Sequence, residues 1–267
     1  MKNIDLGIIG GGNMAEAILR GALAGGVLTA DAVVVGEPSP QRRAVIESLG
    51  VRCNEDNAEA ASAPALLLAV KPQVMAHVLR SIAPAVRGDA RVISIAAGIG
   101  GGAIDSGLGG RGRIIRVMPN TPLLVGEGMS ALSAGPRATV DDVAWVSRLF
   151  AASGRTCQVE ERLMDAVTAV SGSGPAYVFY LVEAMIEAGL AEGLDRATAA
   201  ELALQTCVGA AALLRESGQD AAVLRAKVTS PGGTTQRAIE MMNSAGVRAA
   251  MVSAIRGAAQ RSRELGI

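Results

Sequence analysis

Apolar residues in the first half of the chain fall into short β-branched runs separated by stretches with helical spacing. Runs at residues 4–9, 32–36, 65–70, 91–95 and 113–117 read as strands. Stretches at 14–24, 40–49 and 72–85 read as helices, and a glycine-rich stretch covers 99–112. The segment Ala65-Leu66-Leu67-Leu68-Ala69-Val70 is apolar without alternation, as in a strand covered on both faces of a parallel sheet. Strand and helix alternating in this way predict βαβ units with right-handed crossovers. Past residues 156–160 the strand signal stops. Helical stretches follow at 162–170, 175–192, 196–216, 221–226, 235–243 and 247–264. The expected organisation is α/β: a doubly wound parallel-sheet domain over residues 1–160, then an all-α domain over residues 161–267.

The stretch opening at Pro175 is apolar nearly all round, through Ala176, Tyr177, Val178, Phe179, Tyr180, Leu181 and Val182, then Met185 and Ile186. Such a helix needs burial on all sides. A helical domain of this size hides it within one protomer only with difficulty, so an extensive homodimer core is expected.

Composition changes the picture mainly by exclusion. Half of the 267 residues are apolar and 19% are charged, against disorder. The 25 Lys plus Arg balance 25 Asp plus Glu, which removes the electrostatic argument for a nucleic-acid or anionic-membrane partner. Lys71, Arg80 and Arg87 break the most hydrophobic region, and no unbroken apolar run reaches the roughly 18 residues of a membrane span. Asp5 interrupts the N-terminal apolar stretch, so no signal peptide is expected and the protein is expected in the cytoplasm. Cys53, Cys157 and Cys207 are odd in number and far apart, which argues against a disulfide framework or a zinc site. The single histidine, His77, is expected on the surface, and no metal site is expected. Lysine occurs only as Lys2, Lys71 and Lys227, and aromatics only as one Trp, two Tyr and two Phe. Chemistry here must rely on backbone amides, hydroxyls and a cofactor.

The run Ile4 to Ala15 reads as a strand, a tight glycine turn and the opening of a helix. Gly10-x-Gly12-x-x-Ala15 fits the dinucleotide-binding pattern of Rossmann-type sheets. Gly10 permits the turn, Gly12 lets a pyrophosphate approach the backbone, and Ala15 keeps helix and strand close. Ile9, Gly10, Gly11, Gly12, Asn13 and Met14 are therefore candidate cofactor contacts, with free helix N–H groups facing the phosphates. The plainer alternative is a glycine turn with no ligand. After the second strand, Glu37 is placed to bond ribose hydroxyls, which would favour NAD. Ser39, Arg42 and Arg43 could instead receive the 2′-phosphate of NADP, or be a helix cap and solvated arginines. Sequence alone leaves these open. Ala69-Val70-Lys71-Pro72 ends the strand at 65–70 on the ligand edge of such a sheet. Ser173-Gly174-Pro175 and Gly232-Gly233-Thr234-Thr235 are small-residue loops that open helices. Each presents unpaired N–H groups beside hydroxyls, suited to a carboxylate or to simple helix capping.

Further segments are Ser94-Ile95-Ala96-Ala97-Gly98, Arg116-Val117-Met118-Pro119-Asn120-Thr121-Pro122, Ser171-Gly172-Ser173-Gly174-Pro175-Ala176-Tyr177 and Ser230-Pro231-Gly232-Gly233-Thr234-Thr235. With Gly-Gly-Gly-Asn-Met-Ala at the start and Ala-Val-Lys-Pro between, the chain resembles pyrroline-5-carboxylate reductases over essentially its whole length. The resemblance implies a Rossmann-like domain plus a helical dimerisation domain, in homodimers or larger rings of dimers. It also implies reduction of the cyclic imine 1-pyrroline-5-carboxylate to L-proline by NADP(H), with NAD(H) left open. By that resemblance Thr235 meets the ring nitrogen and carboxylate region, with Thr234 and Gly233 beside it. Ser173 and Gly174 would join them. Glu161 matches an acidic position near the substrate, or is simply a first-turn helix carboxylate. Ser39, Asn57, Ala69, Val70, Lys71, Pro72, Ala96 and Ala97 would line the cofactor, and Lys227 would reach it from the partner subunit. The imine nitrogen can take its proton from water, so the enzyme's task is mainly positioning.

Two other readings stand beside this one. A β-hydroxyacid-type dehydrogenase shares the domain plan but uses a helix lysine, and only Lys227 occurs in the α domain. A non-catalytic dinucleotide sensor would bind cofactor without turnover. Short-chain dehydrogenases are excluded, because Tyr177 and Tyr180 are followed four residues on by Leu181 and Ala184 rather than lysine.

Overall fold

The computed structural model describes residues 4–266. Residues 1–3 and 267, which begin and end the expected domains and bear on the signal-peptide reading, lie outside the described residues. The chain runs β1 (Leu6–Ile9), α1 (Asn13–Ala24), β2 (Val33–Gly36), α2 (Pro40–Glu47), β3 (Arg52–Asn54), α3 (Ala58–Ala61), β4 (Ala65–Leu68) and α4 (Pro72–Ile82). It continues through β5 (Arg91–Ser94), α5 (Gly101–Gly107), β6 (Arg113–Met118), β7 (Gly128–Ala134), α6 (Val140–Ala151) and β8 (Gly154–Gln158). Helices then follow: α7 (Met164–Val167), α8 (Gly174–Ala191), α9 (Arg196–Ser217), α10 (Ala221–Lys227), α11 (Thr234–Ser244) and α12 (Val247–Leu265).

The eight strands form one sheet in the order β3-β2-β1-β4-β5-β6-β7-β8. Every pairing is parallel except β6 with β7. The chain builds outward from β1 through β2 to β3, then crosses back to β4 on the other side of β1. That reversal makes the crevice at the carboxyl ends of β1 and β4 the ligand edge of the sheet. The sheet is doubly wound, as expected. Leu6, Ile8, Val33, Val35, Ala65 and Leu67 pack into one core. Ile9, Val34, Leu66 and Leu68 pack into another on the opposite face. Adjacent residues along each strand therefore serve different cores, which is why these runs are apolar without alternation. Gly7 allows α3 to lie directly on β1: a Cβ there would sit 1.9 Å from the Ala60 carbonyl oxygen.

Three strands and two helices go beyond the hydrophobic pattern: β3, β7, β8, α3 and α6. Helix α6 starts with a capping box in which Thr139 and Asp142 bond each other's backbone N–H. Asp142 is buried at 1% exposure and also fastens α6 to the sheet. It accepts hydrogen bonds from Arg91 at the start of β5 (2.8 Å) and from Arg113 at the start of β6 (2.6 and 2.9 Å). Arg91 in turn stacks over the Trp145 ring, 4.9 Å from its centre.

The chain divides into two compact units. The first comprises residues up to Ser173 together with those from Ala258 onward; the second is Gly174–Gly257. This grouping differs from the expected boundary at 160 over residues 161–173 and at the C-terminus. The cause is visible in the contacts: the last turns of α12 belong with the sheet unit, where buried Ser262 donates to Asp165 at 2.6 Å. In the second unit, Gly189 of α8 lies against Ala199 of α9. No residue of α8 is buried, and Phe179 and Tyr180 are 61% and 74% exposed. Among the described residues, α9 alone is long and apolar enough by length and composition to cross a membrane.

Candidate active site

The turn after β1 is built for close approach. Gly10 adopts φ +95°, and a Cβ there would lie 2.9 Å from the Ala69 carbonyl oxygen. Only glycine takes this conformation without strain. Its N–H donates to the Gly36 carbonyl at 2.9 Å, and Ala69 N–H donates to the Ile9 carbonyl at 2.8 Å, stitching β1 between β2 and β4. Gly12 caps α1 with no side-chain hydrogen bond, and no atom lies within 4 Å of where its Cβ would be. The first amides of α1, from Asn13 and Met14, thus open onto clear space at the positive end of a helix dipole. Arg42 braces this loop: its Nε donates to the Gly11 carbonyl at 2.8 Å, and a terminal nitrogen pairs with Glu16 at 2.9 Å. The Arg42 bond, outweighing the opposing effect of burial, holds the Glu16 carboxyl below its ordinary range.

Other expected cofactor residues gather on the same edge of the sheet unit. Ser39 caps α2 and accepts from Arg42 N–H at 3.4 Å, so its hydroxyl has a structural role. Asn57 precedes α3 without capping it. Its Oδ1 is buried with no protein partner, an acceptor waiting for a donor. Ala69 and Val70 continue β4, Lys71 caps α4 with an exposed side chain, and Pro72 is its first helical residue. Ala96 and Ala97 follow β5, with Ala96 N–H donating to Ser94 Oγ at 3.3 Å. The open amides over Gly12 and the orphaned Asn57 oxygen fit an extended, phosphate-bearing ligand with a hydrogen-bond donor. His77 is exposed on α4. Among the described residues no three His, Cys, Asp or Glu side chains gather as metal ligands.

The second unit carries the hydroxyl-rich loop. Gly233 is the N-cap of α11 and supplies no side-chain bond, leaving the first amides of the helix, from Thr234 and Thr235, without a capping side chain. Gly232 N–H donates to Gln236 Oε1 at 2.7 Å and Gly233 N–H to the Ser230 carbonyl at 3.0 Å, which holds the turn in shape. Thr235 is half-buried and Thr234 exposed. Lys227, at the end of α10, is exposed and donates to Gln219 at 2.6 Å.

Two features beyond the sequence reading shape the region between them in the chain. A π-turn at Thr168–Gly172 leads into α8, with Ser173 N–H donating to the Thr168 carbonyl at 2.8 Å and Gly174 opening the helix. Asn120 ties this turn to the sheet: its Nδ2 donates to the Ser171 carbonyl and hydroxyl at 3.3 Å, and its Oδ1 accepts from Met129 N–H at 2.8 Å. Glu161 is engaged inside the first unit. One carboxylate oxygen accepts from Gly101 N–H at the start of α5 (2.6 Å) and from Arg116 (3.1 Å), which is 9% exposed.

Comparison with known proteins bears on the family and the fold. The family model "Pyrroline-5-carboxylate reductase dimerisation" matches residues 161–265, and "NADP oxidoreductase coenzyme F420-dependent" matches residues 5–98. The chain is 46% identical to pyrroline-5-carboxylate reductase of Synechocystis sp. over 99% of both chains. A solved pyrroline-5-carboxylate reductase from Coxiella burnetii superposes with TM-score 0.90 at 35% identity, covering all of both chains. The Plasmodium falciparum pyrroline carboxylate reductase, solved with NADP bound, superposes with TM-score 0.89 at 30% identity over all of both chains. The chain belongs to the pyrroline-5-carboxylate reductase family.

Proposed function

We propose that this chain reduces 1-pyrroline-5-carboxylate to L-proline with NAD(P)H, the last step of proline biosynthesis. The observation that carries this reading is end-to-end likeness to reductases of that name, at 46% identity over 99% of both chains. When bound, the dihydronicotinamide supplies hydride to the imine carbon. Everything else falls to the chain's own residues.

Residues 1–160 are assigned to the cofactor. Ile9 to Met14 form the turn that meets the pyrophosphate, to which the Asn13 and Met14 amides and the dipole of α1 are offered. Ser39, Asn57, Ala69 to Pro72, Ala96 and Ala97 line the dinucleotide, and Lys227 of a second subunit adds a cation. Residues 161–267 are assigned to substrate and pairing. Gly233 and Thr234 present amides to the ring carboxylate, with Ser173 and Gly174 as a second amide-rich turn. Thr235 holds the ring nitrogen through its hydroxyl, while water supplies the proton, because an ordinary hydroxyl is a poor acid. Glu161 acts through Arg116 and Gly101, steadying the start of α5. Partners are the small-molecule substrate and further copies of the chain, as a dimer or ring of dimers in the cytoplasm. The exposed apolar faces of α8 and α9 meet a second copy rather than lipid.

Oxidation of NADH or NADPH, followed by near-ultraviolet absorbance, tests the reading. Turnover is expected with pyrroline-5-carboxylate and not with 2-keto or 3-keto acids. Turnover of a keto acid alone, or cofactor binding with no turnover, would refute it.

A further inference from the structure

Glu37 lies where β2 ends and curves over the glycine loop. Its Oε2 accepts from Gly11 N–H at 2.7 Å and its Oε1 from Ser39 N–H at 2.8 Å. Two main-chain donors from separate segments thus fix both oxygens, so this carboxylate is not a swinging surface group. It lies close enough that a Cβ on Gly11 would be 3.2 Å from Glu37 Cγ. The neighbouring guanidinium groups are turned to other partners. Arg42 bonds the Gly11 carbonyl and Glu16. A terminal nitrogen of Arg43 donates to the carbonyls of Glu37 and Pro38, at 2.9 Å each. The cations that a 2′-phosphate would need instead brace the loop that presents the anion.

In a doubly wound sheet the adenosine ribose lies by the end of the second strand, where an acidic side chain accepts from its hydroxyls. A 2′-phosphate brings nearly two negative charges to the same place and is repelled by a carboxylate. We propose that Glu37 sets cofactor choice in favour of the unphosphorylated ribose, so that NADH is bound better than NADPH, which is accepted less well. This rests on the proposed function only for the existence of a dinucleotide site.

Calorimetric titration of the whole protein with NADH and NADPH, and with 5′-ADP and 2′,5′-ADP, reads the preference without turnover. Hydrogen bonds to a charged group predict dissociation constants about tenfold or more in favour of the unphosphorylated member of each pair. Glu37→Gln should bring both ratios close to one. Equal or tighter binding of the phosphorylated member by the wild-type protein overturns the proposal, and so does a ratio that Glu37→Gln leaves unchanged. If the variant does not fold, the wild-type ratios alone decide. Absence of imine turnover with the binding preference intact would refute the reductase reading and leave this one standing. Normal turnover with equal binding would do the reverse.

Discussion

Replacing Asp142 by alanine removes the side chain that joins α6 to the starts of β5 and β6. Its carboxylate is buried and accepts five hydrogen bonds: three from Arg91 and Arg113, and two from the N–H and hydroxyl of Thr139. Breaking one partner of a buried ion pair costs about 3–5 kcal/mol, because the other charge is left uncompensated. Arg91 and Arg113 retain 21% and 28% side-chain exposure, so water screens them and the lower end, about 3 kcal/mol, applies. At about 2–4 °C per kcal/mol for a unit of this size, the melting temperature at pH 7 should fall by about 6–12 °C. Acid adds a sign. Burial alone would push the Asp142 carboxyl up, but bonds from Arg113, Thr139 and Arg91 outweigh it and hold the group well below the usual carboxylate range. A depressed folded-state pKa stabilises above the unfolded value, about pH 4, and that stability is lost as pH falls from there toward the folded value. The gap between wild type and Asp142→Ala should therefore narrow in acid. Scanning calorimetry at pH 7 and pH 3, at matched protein concentration, measures both. A fall of less than about 2 °C at pH 7, or a gap that widens in acid, would refute the reasoning.

Three further outcomes follow from the geometry. Thr235→Ala should lower kcat/KM about tenfold to a hundredfold, the worth of a hydrogen bond to a charged group, with cofactor dissociation constants kept; unchanged kinetics would remove Thr235 from the site. Phe179→Arg, on the exposed apolar face of α8, should shift the protein to monomer in light scattering behind size exclusion, and a persistent dimer mass would contradict that face as the interface. Cys157 is exposed, whereas burial, aided by the charge of Glu47, pushes the Cys53 thiol up to about 11. At pH 8 a disulfide reagent should modify Cys157 rapidly and Cys53 only on unfolding, as peptide mapping would reveal.

The five strands read from the hydrophobic pattern were legible because their central residues are packed on both faces and are apolar; in β5 and β6 the polar exceptions, Arg91, Ser94, Arg113 and Arg116, flank short apolar runs. Strand β3 escapes that logic: it is three residues at the sheet edge, and Arg52 is exposed. Strand β7 consists mostly of small residues, Gly128-Met129-Ser130-Ala131-Leu132-Ser133-Ala134, with no β-branched side chain to mark it. Helix α6 did carry a local signal, Thr139-x-x-Asp142 before an apolar face through Val146, Leu149 and Phe150. Within the candidate site, the glycine turn was readable because its chemistry is local. The bonds of Glu161 to Gly101 and Arg116, and of Asn120 to Ser171, join residues 45 to 60 positions apart and leave no mark in spacing. The return of α12 to the sheet unit rests on Ser262 meeting Asp165, 97 positions away. Cofactor choice was ambiguous for a different reason. Glu37, Arg42 and Arg43 are neighbours in sequence, and only their hydrogen bonds separate the anion that faces the loop from the cations that brace it.

A crystal structure of the protein with L-proline and oxidised cofactor would test the central claim most directly, because it locates the product rather than inferring it from rates. The account predicts the proline carboxylate on the amides of Gly233 to Thr235, its nitrogen within hydrogen-bond reach of the Thr235 hydroxyl, and the dinucleotide phosphates on the glycine loop of residues 10–14. Proline lodged away from the 233–235 turn, with the cofactor in place, would contradict it.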